Sequence, residues 1–401
     1  MSFSIATSGL NAVTEQLNAI SNNIANSGTV GFKSGRAEFS ALYAESQPLG
    51  VGVTGITQSI TKGGSIASTG TALDLAINGN GFFMVRDSAG TTAYTRAGYF
   101  GTDSNGNLIN NQGMYMQGYP VDANGTLQVG SIGNLTISSG SIPAKATESI
   151  DFTANMDARA EVPATSPFDP KDNTTYNNSY TTQVYDSLGR EHTLNQYFVK
   201  TGENEWEVHY YMDDKPVTDA NGADQVQKMS FNSQGILTNP SGAVDLSAAI
   251  PGADNIDIKL TYNNTTQYGS DFSVSKNKGD GYASGERTGQ AIDQDGSVYA
   301  TFSNGERLLQ GQLVLANFTN PNGLQSQDGT TWAQTASSGA PLTGAPGTGL
   351  LGSIVSGALE SSNVDLTSEL VGLMTAQRNY QANTKVISTN DSMMNALFQA
   401  V

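Results

Sequence analysis

Residues able to do chemistry are sparse in this 401-residue chain, which has two histidines and no cysteine. Disulfides, thiolate metal sites and cysteine nucleophiles are therefore excluded. His192 and His209 fall on two predicted strands joined by a turn near Gly202 and Glu203. Folding that hairpin puts Phe198 near Trp206 and His192 near Asp213, with the imidazoles about 10 to 16 Å apart, too far to share one metal. His209 alternates with Glu205, Glu207 and Asp213 on the face opposite Trp206, Val208 and Tyr210, which predicts a solvated strand surface. Asp103, Asn105 and Asn107 imitate the first half of a calcium loop, but Leu108 replaces the required glycine and no glutamate closes the loop, so a turn is predicted. Gly79 to Phe83, GNGFF, lacks the helix and lysine of a phosphate cradle. No Walker loop, catalytic-serine elbow or zinc spacing is present. The expectation is a protein that is not an enzyme and takes no cofactor and no metal.

Composition narrows the partners. Charged residues make up 14% of the chain, against roughly 25% in ordinary globular proteins. The formal net charge is -17 with no basic cluster, so nucleic acid and anionic membranes are poor partners. No run reaches the length of a membrane span, and Met1 to Ala25 has no charged and apolar leader, so any export is expected without a cleaved signal.

The two ends resemble each other and differ from everything between them. Leu10, Val13, Leu17, Ile20 and Ile24 are spaced as a heptad seam with polar Asn11, Thr14, Gln16 and Asn18 around it, which predicts an amphipathic helix of about 20 residues. Asn22, Asn23, Asn26 and Gly28 are expected to cap and turn it. At the other end Asp365 is a candidate N-cap, with Leu366, Leu370, Leu373, Tyr380, Ile387, Met394 and Phe398 on one helical stripe interrupted by Gln377, Thr384 and Asp391. These twelve apolar residues of the two stripes are the candidate assembly interface. A lone helix of this length is marginal in water, so each end needs a partner, either the other end or neighbouring chains.

Between the ends the chain reads as β structure. Phe82 to Arg86, Ala93 to Tyr99, Val184 to Asp186, Leu194 to Val199, Trp206 to Met212 and Gln312 to Phe318 are short apolar or alternating runs. Asn105-Gly106, Asn124-Gly125, Asp295-Gly296 and Asn304-Gly305 mark hairpin turns. The 45 glycines suit many tight turns. The predicted fold class is mainly β with α-helical termini, in nested domains. Residues 1–30 and 360–401 form a terminal helical coiled-coil domain, 31–71 and 333–359 are linkers, 72–145 and 282–332 an inner β domain, and 146–281 an inserted outer β domain. The insertion carries about two acidic residues for each basic one. Polar stretches Ser138 to Ser149 and Lys276 to Gln290 are its expected flexible connectors.

Several motifs are specific. Ile20 to Lys33, ISNNIANSGTVGFK, resembles the N-terminal signature of the flagellar rod and hook family. Leu73 to Val85 and Tyr94 to Tyr119 are similar to that family's first β region, as is Asp295 to Leu324 to its return segment. Gly357 to Leu397, with GALESSNVDLTSELVGLMTAQRNYQANTKVISTNDSMMNAL, is similar to its C-terminal segment. The resemblance implies a subunit that assembles with copies of itself into a hollow, flexible tube, terminal helices lining the channel and β domains facing outward. It implies export by the flagellar type III apparatus, an extracellular place in the flagellum, and hook cap, distal rod and hook-filament junction proteins as partners. The large insertion favours a hook subunit over a distal rod protein, the alternative within the family. A secreted β-rich adhesin is the alternative outside it, and has no use for matched amphipathic ends.

Overall fold

The computed structural model describes residues 2–44, 47–122, 125–218 and 223–400; Met1, Val401 and Asn124 of one predicted turn lie outside them. Helix α1 spans Ser2–Ala25 and α2 spans Leu366–Ala400. Asp365 starts α2 as expected: its Oδ1 accepts the Thr367 and Ser368 N–H groups at 2.9 and 3.1 Å, covering donors that the first helical turn leaves free. The exit from α1 differs from expectation. The left-handed residue is Gly31, with φ 71°, where a Cβ would meet the Arg96–Ala97 backbone; Asn23 is instead buried and bonded.

The remaining elements are strands, and one local device makes many of their connections. In the turns Asp87–Thr91, Asp103–Asn107, Asn110–Met114, Asp186–Arg190, Asn232–Ile236, Asp293–Ser297 and Phe302–Glu306, the fourth residue is glycine. Its N–H bonds the first carbonyl, and the first N–H bonds the fifth carbonyl. Those glycines have φ between 75° and 92°. This is a three-residue hairpin loop closed by a glycine bulge, a geometry that a Cβ would strain. At Asp103 the carboxylate is spent inside its own turn, accepting from the backbone of Asn105 and Asn107 at 2.8 Å.

The chain divides into two compact units. The first comprises residues 1–139, 289–301 and 307–401. Its β core is built on Phe82–Arg86, Thr92–Thr95, Tyr115–Pro120 and Arg307–Leu313. Phe82 packs edge-on against Phe318 and Trp332, and Tyr94 against Phe318 at 4.8 Å between ring centroids. The run Gln312 to Phe318, read as one strand, breaks at Val314 into Arg307–Leu313 and Leu315–Asn317, which pair with different neighbours. The segments expected as linkers carry strands. Gly35–Ala44 and Gln47–Gln58 form an antiparallel hairpin; Ile66–Ser68 pairs with Ala358–Glu360, and Leu75–Asn78 with Ser353–Ser356. Small residues here permit close backbone approach: a Cβ on Gly64 would overlap the Ser361 carbonyl.

The second unit comprises residues 140–288 and 302–306, wider than the expected 146–281. One sheet runs in the order Asn178–Tyr185, Glu191–Gly202, Glu205–Met212, Val226–Phe231, Leu237–Asn239. The other contains Val244–Ala248, Ile256–Thr261, Ser149–Asp157 and Thr266–Tyr268, with Ser273–Gly279 also on Ser149–Asp157. Alternating residues of both bury one core around Phe152, Phe198, Trp206, Tyr210 and Leu260. Its polar tips are satisfied: Tyr210 and Tyr262 hydroxyls lie 2.9 Å apart, Tyr262 donates to Gln196, and Trp206 Nε1 donates to Gln267. The expected flexible connectors are paired to each other through Ile142 with Gly285, Lys145 with Tyr282, and a Lys145–Asp280 ion pair at 2.9 Å.

Candidate functional site

The predicted seam of α1 is buried against α2 within one chain. Val13, Ile20 and Ala376 are buried, with Leu17, Ile24 and Leu373 packed on them and Leu10 partly covered. The helices run antiparallel, Gly372 against Ile20 and Gly9 against Asn383, where an added Cβ would sit 3.4 and 3.0 Å from those side chains. On α2 the small residues Gly372 and Ala376 share the contact with Leu373. Of the stripe predicted there, Leu373 and Ile387 are half-buried, while Leu366, Leu370, Tyr380 and Met394 are exposed, at 42–49% of their full area. The side chain of Phe398 lies outside the described residues. Val371 and Met374 are exposed beside Leu370, so α2 keeps an uncovered apolar face. The hairpin Gly35–Gln58 runs beside α1, Val51 N–H donating to Ser8 Oγ at 3.2 Å, and leaves Phe39, Tyr43, Val53 and Ile56 exposed.

Below the helices lies a buried polar collar that periodicity does not reveal. Glu360 accepts Lys33 Nζ at 2.6 Å on one oxygen and Arg96 at 3.0 Å on the other, and all three side chains are less than a tenth exposed. Lys33 also donates to the Lys62 carbonyl, and Arg96 to the Ile77 and Gly79 carbonyls. Burial opposes every charge here. It draws the Lys33 ammonium below its ordinary range despite Glu360, whereas for Glu360 the two cations outweigh burial and hold the carboxyl below the usual carboxylate range. Asn363 accepts from Ser34 N–H and donates to the Ser59 and Lys62 carbonyls. Asn23 bonds Gly35 through both N–H and C=O and donates to Glu369 at 2.9 Å. The N-terminal segment, C-terminal segment and β core of this unit therefore meet in one hydrogen-bonded node. The available sequence signal was a charge in an otherwise uncharged stretch, Lys33 closing the N-terminal motif after Gly-Phe and Glu360 near the start of the C-terminal one after Ala-Leu, opposite in sign.

The two histidines lie in different surroundings. His192 does meet Asp213, Nδ1 to Oδ2 at 2.5 Å, but Nε2 faces Asp186 at 3.2 Å, so both nitrogens are engaged. His209 is not on a solvated surface: it stacks on Phe168 at 4.1 Å, in a cluster with Tyr176, Tyr197 and Tyr211. The loop bearing Phe168 covers a face that strand alternation alone would leave open. The strand register pairs Phe198 with Val208 and Lys200 with Trp206.

Four family models match the chain: "Flagella basal body rod protein" over residues 3–33, "Flagellar hook protein FlgE/F/G D1 domain" over 76–155, "Flagellar basal body protein FlaE D2 domain" over 155–282, and "Flagellar basal body rod FlgEFG protein C-terminal" over 355–400. The flagellar hook protein FlgE of Salmonella typhimurium is 43% identical over 403 aligned residues, covering 99% of each chain. That of Escherichia coli is 40% identical with the same coverage, and that of Brucella suis is 33% identical over 97% of this chain and 96% of its own. The crystal structure of Helicobacter pylori flagellar hook protein FlgE2 matches with a TM-score of 0.54 at 14% identity, over 74% of this chain and 100% of that one.

Proposed function

The chain belongs to the flagellar hook protein family, and from that premise we propose that it polymerises through its terminal helices into the hollow, flexible tube that links rod to filament and transmits torque. The observation that carries this reading is the uncovered apolar face of α2, Leu366, Leu370, Val371 and Met374, on a helix whose other face is already satisfied by α1. Monomers gain nothing from such a face, and burying it between chains supplies the driving force for assembly. The exposed apolar residues of the Gly35–Gln58 hairpin extend the same surface. The collar holds the helix pair at its base, so that neighbouring chains meet a preset geometry. Transit to the cell exterior through the flagellar type III apparatus, without signal cleavage, belongs to the same proposal, as do contacts with cap, distal rod and junction proteins.

The test is electron microscopy of purified protein after salting out. Wild type is expected to form tubes, and Leu370→Asp to remain monomeric with unchanged helix content. Tubes from Leu370→Asp would remove this face from the assembly contacts.

A further inference from the structure

The Asn78-Gly79-Asn80-Gly81 segment lends the Gly79 carbonyl to the collar, and its Asn80–Gly81 peptide bond is held in a distinct way. Asn80 is exposed, outside any strand, and its side chain bonds no other described residue. The Gly81 N–H donates to no backbone carbonyl among the described residues, while the carbonyl of that same peptide, Asn80 C=O, accepts Gly352 N–H at 2.8 Å. In three other asparagine-glycine pairs the glycine N–H is engaged. Gly106, Gly305 and Gly323 donate their N–H groups to the carbonyls of Asp103, Phe302 and Asn320, each at 3.0 Å. The Asn304 amide is further tied to the Ala283 carbonyl at 2.7 Å. Asn78 is held extended in a ladder with Ser353.

We propose that Asn80 is a self-modification site, converting to aspartate and isoaspartate in the folded protein. The Gly81 nitrogen attacks Asn80 Cγ. The new C–N bond closes a five-membered imide, the Cγ–Nδ2 bond breaks, and the amide proton leaves with Nδ2 as ammonia. Water then opens the imide at either carbonyl, giving aspartate or the isomer with an extra backbone methylene; no electrons are exchanged. Attack requires the Gly81 amide to lose its proton, and the Gly352 N–H aimed at Asn80 O stabilises the resulting peptide anion as a fixed donor does an oxyanion. In the three locked turns the same proton is held by an acceptor, and a hydrogen bond must break first. Glycine places no Cβ in the path of the ring.

The experiment is peptide mapping by mass spectrometry of the full chain held at mildly alkaline pH, in native buffer and in urea. Conversion adds about 1 Da and is identified as isoaspartate by its fragmentation. Asn80 should convert in native buffer at least as fast as in urea. Asn105, Asn304 and Asn322 should each slow by roughly fivefold or more on folding. Asn80→Gln should remove the fast phase of ammonia release from the folded protein. Protection of Asn80 comparable to that of Asn105, or a fast phase that persists in Asn80→Gln, overturns the assignment.

Discussion

Glu360 is the residue on which the collar depends, because its one carboxylate balances two buried cations. Glu360→Gln leaves Lys33 and Arg96 without an anion and is expected to destabilise the unit that contains them by about 3 to 5 kcal/mol. Lys33→Met should cost clearly less, since Glu360 keeps Arg96. Urea denaturation of both variants checks the order, and equal losses would show that the carboxylate is not the shared centre. Lys33 and Arg96 lie 327 and 264 residues from Glu360, so nothing in local spacing could join them. The two histidines offer a second test, each giving its own NMR titration. Partial burial opposes the charge on His192, but Asp213 and Asp186 outweigh it and raise its pKa above 6.5, while burial lowers that of His209. His192 thus stabilises its unit fully below the unfolded value, and that contribution is lost as pH rises through its folded pKa. His209 does the opposite, its contribution being lost as pH falls through its folded pKa. The two resonances should titrate on opposite sides of about 6.5; coincident midpoints would contradict both environments. The Asp213 contact of His192 was legible from the hairpin register, whereas the stacking of His209 depends on a loop residue, Phe168, that no strand pattern predicts.

At the scale of elements, both helices and their start were readable because heptad spacing and an aspartate cap are local signals. Which α2 residues face α1 was not. A stripe of large apolar residues marks what could be buried, but Gly372 and Ala376 make the contact because they let the helices approach, and they leave no hydropathy signal. In the glycine-rich segments 31–71 and 333–359 smallness also has a packing role: Gly64 lies where backbones pass close together, and strands form within both segments. This changes the expected boundary of order in the monomer. Limited proteolysis at low concentration should nick the distal helices, the first turns of α1 and the last of α2, yet spare 31–71 and 353–363, which the collar and two ladders hold. Terminal sequencing and mass of the resistant core test this. Early cleavage within 59–71 would show the collar to be open in solution. Leu17→Asp should extend the trimming to all of α1 by unpairing the helices, an effect that Leu370→Asp should lack.

For the whole molecule, nesting has a consequence for assembly. The unit of residues 140–288 has its own core, and its entry and exit strands are zipped through Ile142, Lys145, Tyr282 and Gly285. Excision there removes that core and leaves the collar and both helices, while shortening the strand Arg287–Ile292, which pairs with Ser297–Phe302, by its first two residues. The turn Phe302–Glu306 loses its bonds from Asn304 to Ala283 and Ser303 to Glu286. What excision takes away is an acidic, hydrated surface whose ion pairs are largely exposed, as at Arg159 with Asp157 and Asp271 and Lys276 with Asp151. Exposed charge pairs are worth little individually and exchange readily, which suits contacts that must be remade as a bent tube turns. Joining Ser139 to Gly289 through a short Gly-Ser link is therefore expected to preserve hollow tubes while making them straighter and changing how they bend. In wild-type tubes, raising the salt concentration should shift curvature in the same direction, because screening weakens those contacts. Electron micrographs of both preparations give curvature and its spread directly. Loss of all assembly on excision would place essential contacts in the nested unit, and unchanged curvature would remove it from the mechanics of the tube.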